Sequence, residues 1–327
     1  MKKSLIALAV AGAFAAPAFA ATSNVDVYGV LNITIQDTDV TGSDLTVLDN
    51  TSRIGFKGSE DLGGGLKAIW QIESALGSNG QSAIGFTSAS TAAGLGTRNT
   101  FVGLAGGFGT VLAGRHDTPY KLGTASLDIF GDTIADYNLG RAGGVSLIDN
   151  SQDHRNGQAL AYISPTWSGF HFAAAVVMSN AADGGSVADL ATADTVDAVS
   201  ATGVYMNGPL FASLSYQTTQ ALDSEAWKVC VGYSFGDTKV GFIYENVDKF
   251  SVAGFDRNSW LLNVTHTMGP IVLKAQYGQA KVDTSAVNTA DQDMWAVGVD
   301  YNLSKRTAVY AAYAKGEIGR ASCRERV

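Results

Sequence analysis

The sequence predicts an all-β fold, a transmembrane antiparallel β-barrel, on three observations. Segments of about ten residues alternate apolar and polar side chains, as the strands of membrane barrels do. Very short turns and longer polar loops follow one another along the chain, which is the layout of such barrels. After the N-terminal leader, no stretch reaches the roughly 18 consecutive apolar residues that a spanning helix needs.

The first segment, residues 1–20, reads as a cleaved secretory signal peptide. Two lysines precede an apolar run that ends in the small-residue sequence AFA. A transmembrane anchor is the alternative, but no stop-transfer pattern follows the cleavage site. We therefore expect an exported mature chain that begins near Ala21, with the barrel over residues 21–316.

The composition agrees with long strands and tight turns, because the chain has 38 Gly and 26 Tyr or Phe residues but only 5 Pro. Two cysteines in an exported chain provide no disulfide framework. The formal net charge of −8 disfavours nucleic acid as a partner, since a phosphate-binding surface needs an excess of basic residues.

The alternation predicts about fifteen strands, an odd number that is awkward for a bacterial single-chain barrel. In residues 225–235, for example, Trp227 and Val231 oppose Lys228 and Cys230. A soluble sandwich also alternates, so the alternating connection lengths decide for the barrel. The predicted strands are 25–36, 51–59, 66–75, 98–106, 109–115, 157–164, 167–178, 199–207, 210–219, 225–235, 238–246, 259–268, 271–281, 292–302 and 305–314.

Aromatic residues near strand ends support the membrane setting, since amphipathic rings form girdles at membrane interfaces. They are Trp70, Trp227, Tyr233, Trp260, Trp295 and Tyr301.

The last residues, 317–327, lack alternation and carry many charges. They resemble a translated sequencing adapter, so we predict a non-native tail in place of the last strand. A short basic periplasmic tail is the alternative. An odd number of strands and an open sheet edge in lipid favour the first interpretation.

Residues 115–158 interrupt the strand pattern with a long segment that mixes carboxylates and large apolar side chains. Segments of this length inside a compact domain are functional or disordered, and the apolar content favours a packed functional loop, at about 116–156.

Several long strings of the chain resemble the general diffusion porins of Gram-negative outer membranes, of the β-proteobacterial type. They include DVYGVLN, SRIGFKGSEDLGGGLKAIWQIE, TRNTFVGLAGGFGTVLAGRHDTPY, ALAYISPTWSGF and YNLSKRTAVYAAYAKG. The resemblance covers the chain to about residue 316. It implies a sixteen-stranded barrel in the cell outer membrane, a homotrimer, and a third loop folded into the lumen. The family closes its barrel with a strand ending in an aromatic residue, whereas this chain ends at Val327.

The resemblance and the alternation together predict a charged constriction between a basic wall and an acidic loop, whose transverse field would orient polar solutes. Arg155 matches a basic residue before the family's YxSP strand, and Asp128 and Asp132 match a DxFG-like loop motif. The predicted constriction residues are Arg53, Lys57, Arg98, Arg115, Arg155, Asp117, Asp128, Asp132 and Asp136.

Some of these residues have a structural alternative. Arg53 and Arg98 could pair with Glu60, Glu73 or loop carboxylates to hold the loop in place. For Asp149 and Asp153, a solvated loop position is the preferred interpretation. The four histidines lack metal-ligand spacing, and the sequence predicts no metal or cofactor.

The predicted function is passive diffusion of small hydrophilic solutes and ions, with a mild anion preference because the arginines cluster at the narrowest point. Membrane lipid and lipopolysaccharide are the expected surroundings. An enzyme is disfavoured, since neither GxSxG nor HExxH occurs. A solute-specific porin and a barrel-anchored adhesin or receptor remain as alternatives.

Overall fold

The computed structural model confirms the predicted all-β fold, with fifteen antiparallel strands in one sheet. It describes residues 24–37, 45–77, 95–138, 145–148, 152–178, 196–220, 223–249, 256–283 and 291–319. The predicted leader, residues 1–20, lies outside them.

The strands of this sheet are long, most with nine to thirteen residues. Their bounds are β1 Asn24–Val30, β4 Arg53–Gly63, β5 Leu66–Ala75, β6 Thr100–Gly106, β7 Gly109–Asp117, β8 Arg155–Ile163, β9 Phe170–Met178, β10 Val196–Asn207, β11 Leu210–Thr219, β12 Ser224–Phe235, β13 Thr238–Asp248, β14 Asp256–Met268, β15 Ile271–Asp283, β16 Gln292–Asn302 and β17 Ala308–Ile318. Two further strands, β2 Ile33–Gln36 and β3 Thr46–Asp49, pair only with each other among the described residues.

The order of strands in the large sheet is β1 followed by β4 through β17 in sequence order. Each connection therefore joins neighbouring strands, as in an up-and-down barrel wall.

The apolar residues of the wall face outward. On β12, Trp227 and Val231 are exposed, whereas the alternating Lys228 and Cys230 are fully buried on the inner side. The same contrast separates Leu262 from Leu261 on β14. An apolar outer face with polar residues inside is the arrangement that suits a strand wall in lipid.

A belt of alternating Tyr and Trp crosses the outer face of seven consecutive strands, β11 to β17, on the side of the long loops. Three neighbouring Trp–Tyr pairs in the belt have ring centroids 5.2 to 5.5 Å apart. Rings at this level anchor a barrel at the membrane interface. The belt consists of Tyr216, Trp227, Tyr244, Trp260, Tyr277, Trp295 and Tyr313.

The first predicted strand, 25–36, was wrong, because the structure divides it into β1 and β2. Asn32 lies at the break, where its backbone amide donates to Ser52 Oγ and its side chain donates to the carbonyl of Asp132. These bonds take Asn32 out of the ladder with β4. The hairpin partner β3 lies between the predicted strands 25–36 and 51–59, where no strand was predicted.

The ends of β7 and β8 also differ from the prediction. Asp117 pairs with Arg155 in the ladder, so β7 continues two residues beyond the predicted end and β8 begins before the predicted start. Arg115 therefore lies within β7 rather than at the start of a loop. We call residues 118–154, which connect these strands, the inner segment. It contains a short helix, α1 (Pro119–Leu122), and a 3₁₀ turn (Ala125–Leu127).

At the other end of the chain, β17 extends to Ile318, two residues beyond the predicted limit of the barrel. Residues 320–327 of the predicted tail lie outside the described part of the chain. No helix among the described residues combines the length and apolar character of a membrane span.

Candidate functional site

The inner segment packs against the inner face of the wall through one large apolar cluster. Its residues Leu127, Tyr137, Leu147 and Ile148 are fully or almost fully buried. Their partners come from β10 to β16 and occupy the positions that alternate with exposed residues: Val204, Phe211, Cys230, Ile243, Leu261, Ala280 and Met294. The segment therefore lies inside the barrel, against the side formed by these strands.

Glycines on the inner face let two side chains of the segment approach the backbone of the wall. A Cβ at Gly298 on β16 would lie 2.7 Å from Phe130 Cε1, and one at Gly241 on β13 would lie 2.8 Å from Leu127 Cδ2. Both distances are shorter than a carbon–carbon contact allows. The missing side chains thus create the space that Phe130 and Leu127 fill.

Side chains of the wall also satisfy backbone carbonyls of the segment, which has little regular structure to do so itself. Asn263 donates to the carbonyl of Leu127 at 2.7 Å, and Gln276 donates to that of Ala135 at 2.6 Å. Further bonds of this type join Ser213 to Gly123, Gln217 to Gln152, Lys239 to Ser126 and Arg257 to Leu147. The path of the segment is thus fixed by polar contacts along most of its described length.

At its far side, the segment reaches β4. Arg53 Nη1 lies 3.0 Å from Asp132 Oδ2, and both side chains are partly exposed. Asp132 has a left-handed backbone with φ of 60°, and its amide donates to Asp136 Oδ2. Asp136 also accepts from the amide of Asn138 and is buried. Asp132 is therefore the carboxylate that meets the wall, while Asp136 holds the turn that presents it.

Arg98 belongs to a second ion pair, on the wall beside β5. Its Nε donates to Glu73 Oε1 at 2.7 Å, and Tyr28 donates to the other oxygen of Glu73 at 2.9 Å. The Tyr28 ring covers Gly55, where a Cβ would come within 2.2 Å of it. Lys57 Nζ lies 5.4 Å from the centre of that ring. The structural alternative for Arg53 and Arg98, pairing with loop carboxylates or Glu73, thus matches the geometry.

Asp117 is the centre of a third group, in which two cations share one carboxylate. Arg155 and Lys121 lie 3.0 Å and 3.2 Å from Asp117 Oδ1. Asn99 donates to the same carboxylate and accepts from Arg155 Nε at 2.8 Å. Arg115, two residues before Asp117 on β7, donates from its Nε to the backbone carbonyl of Thr97. The group carries an excess of positive charge.

Asp128 lies inside the segment, and burial raises the pKa of its carboxyl well above the ordinary value. The nearby Asp136, Asp132 and Asp153 raise this pKa further, while the Phe130 backbone opposes the shift. Asp128 Oδ1 is buried without a hydrogen-bond partner. The neutral, protonated form of Asp128 is therefore favoured over a wider pH range than for an ordinary aspartate.

The preferred interpretation of Asp153 as a solvated loop charge was wrong. Asp153 is buried, and Lys228 Nζ lies 2.7 Å from its Oδ1. Lys228, on β12, was not among the predicted site residues. Its one sequence signal is its position, because it is a lysine in the inward-facing row of that strand. Asp149 lies outside the described residues.

The sequence model of the Gram-negative porin family matches residues 7–319 of the chain. The chain belongs to this family. The porin is 32% identical to outer membrane porin protein 32 of Delftia acidovorans over 96% of the chain and 89% of the relative. It is 28% identical to an outer membrane porin protein of Bordetella pertussis over 96% of the chain and 94% of the relative.

Among solved structures, an anion-selective porin from Comamonas acidovorans matches the porin with a TM-score of 0.70 and 26% identity, over 92% of this chain and 91% of that one. Salmonella typhi OmpF in complex with daunomycin matches with a TM-score of 0.67, over 90% and 91%, at 18% identity, which supports the fold alone. The family and the barrel place the porin in the Gram-negative outer membrane.

Proposed function

We propose that the nine predicted residues form the constriction of a general porin, through which small hydrophilic solutes and ions diffuse passively with a mild anion preference. The observation that carries the proposal is the path of the inner segment. It is bound to the inner face of β10 to β16 and also contacts Arg53 on β4. A segment packed inside the wall in this way narrows the passage beside it.

The balance of charge at this point supports the anion preference. Among the described residues, Arg53 and Arg98 each have one carboxylate partner, and Asp117 is shared by Arg155 and Lys121. Within the described residues, neither Lys57 nor Arg115 forms a salt bridge. These groups therefore carry more positive than negative charge. Charges act most strongly on passing ions where the pore is narrow and screening is weak.

A reversal-potential measurement across a salt gradient tests this proposal. The porin reconstituted in a planar bilayer should give a potential of the sign that anion permeation produces. A potential of the opposite sign would refute the anion preference, and a bilayer without conductance would refute the pore itself.

The assembly is part of the same proposal. The resemblance to the family implies a homotrimer, and we expect three copies in the outer membrane among lipid and lipopolysaccharide, without a catalytic role. Native mass measurement of the detergent-extracted porin should give three chains, and a monomeric mass would contradict this assignment.

The raised pKa of Asp128 predicts a selectivity that depends on pH. As pH rises through that value, the carboxyl gains a negative charge, and the anion preference should weaken. Asp128→Asn removes this charge, so its permeability ratio should vary less over about pH 4 to pH 9 than that of the wild type. Reversal potentials at each pH provide the measurement. Asp300→Asn, which removes a wall carboxylate outside the segment, should keep the dependence.

The same substitution should change stability in a defined direction. The folded pKa of Asp128 lies above its unfolded value, so between the two values the folded state binds more protons. Its contribution to the free energy of unfolding is therefore present at low pH and lost as pH rises. Asp128→Asn should make the porin more resistant to urea than the wild type at neutral pH, with little gain in acid. An equal gain at both pH values would contradict the shift.

A further inference from the structure

Both ends of the inner segment meet at one buried lysine of the wall. Lys228 is 0% exposed, and its Nζ lies 2.7 Å from Asp153 near the end of the segment. The same Nζ lies 4.0 Å from the ring centre of Tyr120, near the start of the segment. Tyr120 and Asp153 are 33 positions apart in the sequence, and Lys228 contacts both of them.

The wall completes this contact through Glu245 on β13, which is the Cα partner of Lys228. Tyr120 donates its hydroxyl to Glu245 Oε1 at 2.8 Å, and Lys228 Nζ lies 3.8 Å from the same atom. Glu245 is also fully buried. These contacts connect a lysine and a glutamate of the wall, Lys228 and Glu245, with one residue near each end of the segment. The segment residues are Tyr120 and Asp153.

We propose that Lys228 is a positioning residue of the constriction, which clamps the start and the end of the inner segment to β12 and β13. This inference rests on the proposed function, because it concerns the segment that narrows the pore. Without the lysine, Asp153 and Glu245 would face each other as two buried carboxylates. Removal of one member of a buried ion group costs more than the group contributes, since a charge is left uncompensated.

Other wall contacts of the segment differ from this one. Lys239 and Asn263 each bind a single backbone carbonyl in its middle. Each of these contacts holds one point of the segment, as do Ser213 at Gly123 and Gln217 at Gln152 nearer its ends. Lys228 restrains two points at once, so its loss should release the segment as a unit rather than loosen one turn.

The buried thiol of Cys230 offers a direct measure of such release. Cys230 lies two residues from Lys228 on the inner face and belongs to the same buried cluster as Leu127, Tyr137 and Leu147 of the segment. A maleimide can reach the thiol only when the segment leaves the wall. The sequence has two cysteines, so Cys323→Ser leaves Cys230 as the single labelling site.

The experiment compares maleimide labelling of the reconstituted porin with and without Lys228→Met in the Cys323→Ser background. We expect labelling about tenfold faster or more in Lys228→Met, because the rate follows the fraction of molecules in which the segment has opened. Single-channel records of the same variant should show several conductance levels for each pore, where each wild-type pore shows one. Labelling requires no ion flow, so it tests the clamp even if the proposed permeation were wrong.

A second variant separates the clamp from folding. Lys228→Met with Asp153→Asn and Glu245→Gln makes the group neutral and keeps its shape similar, so it should fold even if Lys228→Met does not. Its labelling should still exceed that of the wild type, because the ionic link between both ends is gone. The matched control is Lys249→Met, which breaks an exposed ion pair with Asp223 at the ends of the same two strands, β13 and β12, and should label at the wild-type rate. Wild-type labelling in the neutral variant would overturn the proposal, as would equally fast labelling in the control.

Discussion

Replacement of Arg53, Arg98 and Arg155 together by Gln should turn the porin from mild anion preference to cation preference. We expect the ratio of anion to cation permeability to fall by roughly tenfold, since charges in a narrow, poorly screened site produce potentials of several kT. Each arginine lies within 3.0 Å of a carboxylate, on Asp132, Glu73 or Asp117. The substitution leaves Asp132 and Glu73 without their arginine partners and leaves Asp117 with Lys121 alone, so the field of the carboxylates then attracts cations. Reversal potentials across a salt gradient measure the ratio.

The carboxylate partners provide the matched control. Asp132→Asn, Glu73→Gln and Asp117→Asn together remove the same number of charges from the same pairs, but of opposite sign. This variant should become more selective for anions than the wild type. If both triple variants kept the wild-type reversal potential, the paired groups would lie away from the ion path. A shift of the same sign in both variants would indicate a change of pore shape rather than of charge.

The strands were predictable because each depends on a local property, the period of two between apolar and polar side chains. The outward position of Trp227 and the inward position of Lys228 follow from that period alone. The break at Asn32 was not predictable in this way. It depends on a bond to the carbonyl of Asp132, 100 positions away. The alternation of side chains along a single sequence contains no information on such a distant contact.

The residues of the candidate site also include some that the sequence predicts and some that depend on distant contacts. Arginines on the inner face were predicted from the alternation and the family resemblance, and Glu73 was named as a possible partner of Arg98. The buried position of Asp153 was missed, because the inner segment has no periodicity that shows which side chains face the wall. Its partner Lys228 lies 75 positions later. Only the path of the segment through the interior brings the two together.

Adjacent leucines on β14 provide a test of the two faces of the wall. Leu261 is fully buried under the inner segment, whereas Leu262, the next residue, is exposed on the outer face near the middle of the strand. Leu261→Ala should lower the free energy of unfolding by about 2 to 5 kcal/mol, because it leaves a cavity beneath the segment. Leu262→Ala should cost only roughly 0.5 kcal/mol, since lipid chains fill the space that the side chain leaves.

Conductance should separate the same two variants. Loss of packing at Leu261 loosens the segment, so single-channel current should become noisier and larger, while Leu262→Ala should conduct as the wild type does. Leu262→Arg adds a check on the outer face just inside the aromatic belt, where a charge is unfavourable but costs less than the roughly 2 to 4 kcal/mol of the bilayer midplane. Urea unfolding in lipid vesicles measures all three variants. Tolerance of arginine at position 262, together with a severe loss from Leu262→Ala, would mean that this face meets water or protein, and the orientation of the wall would have to be reversed.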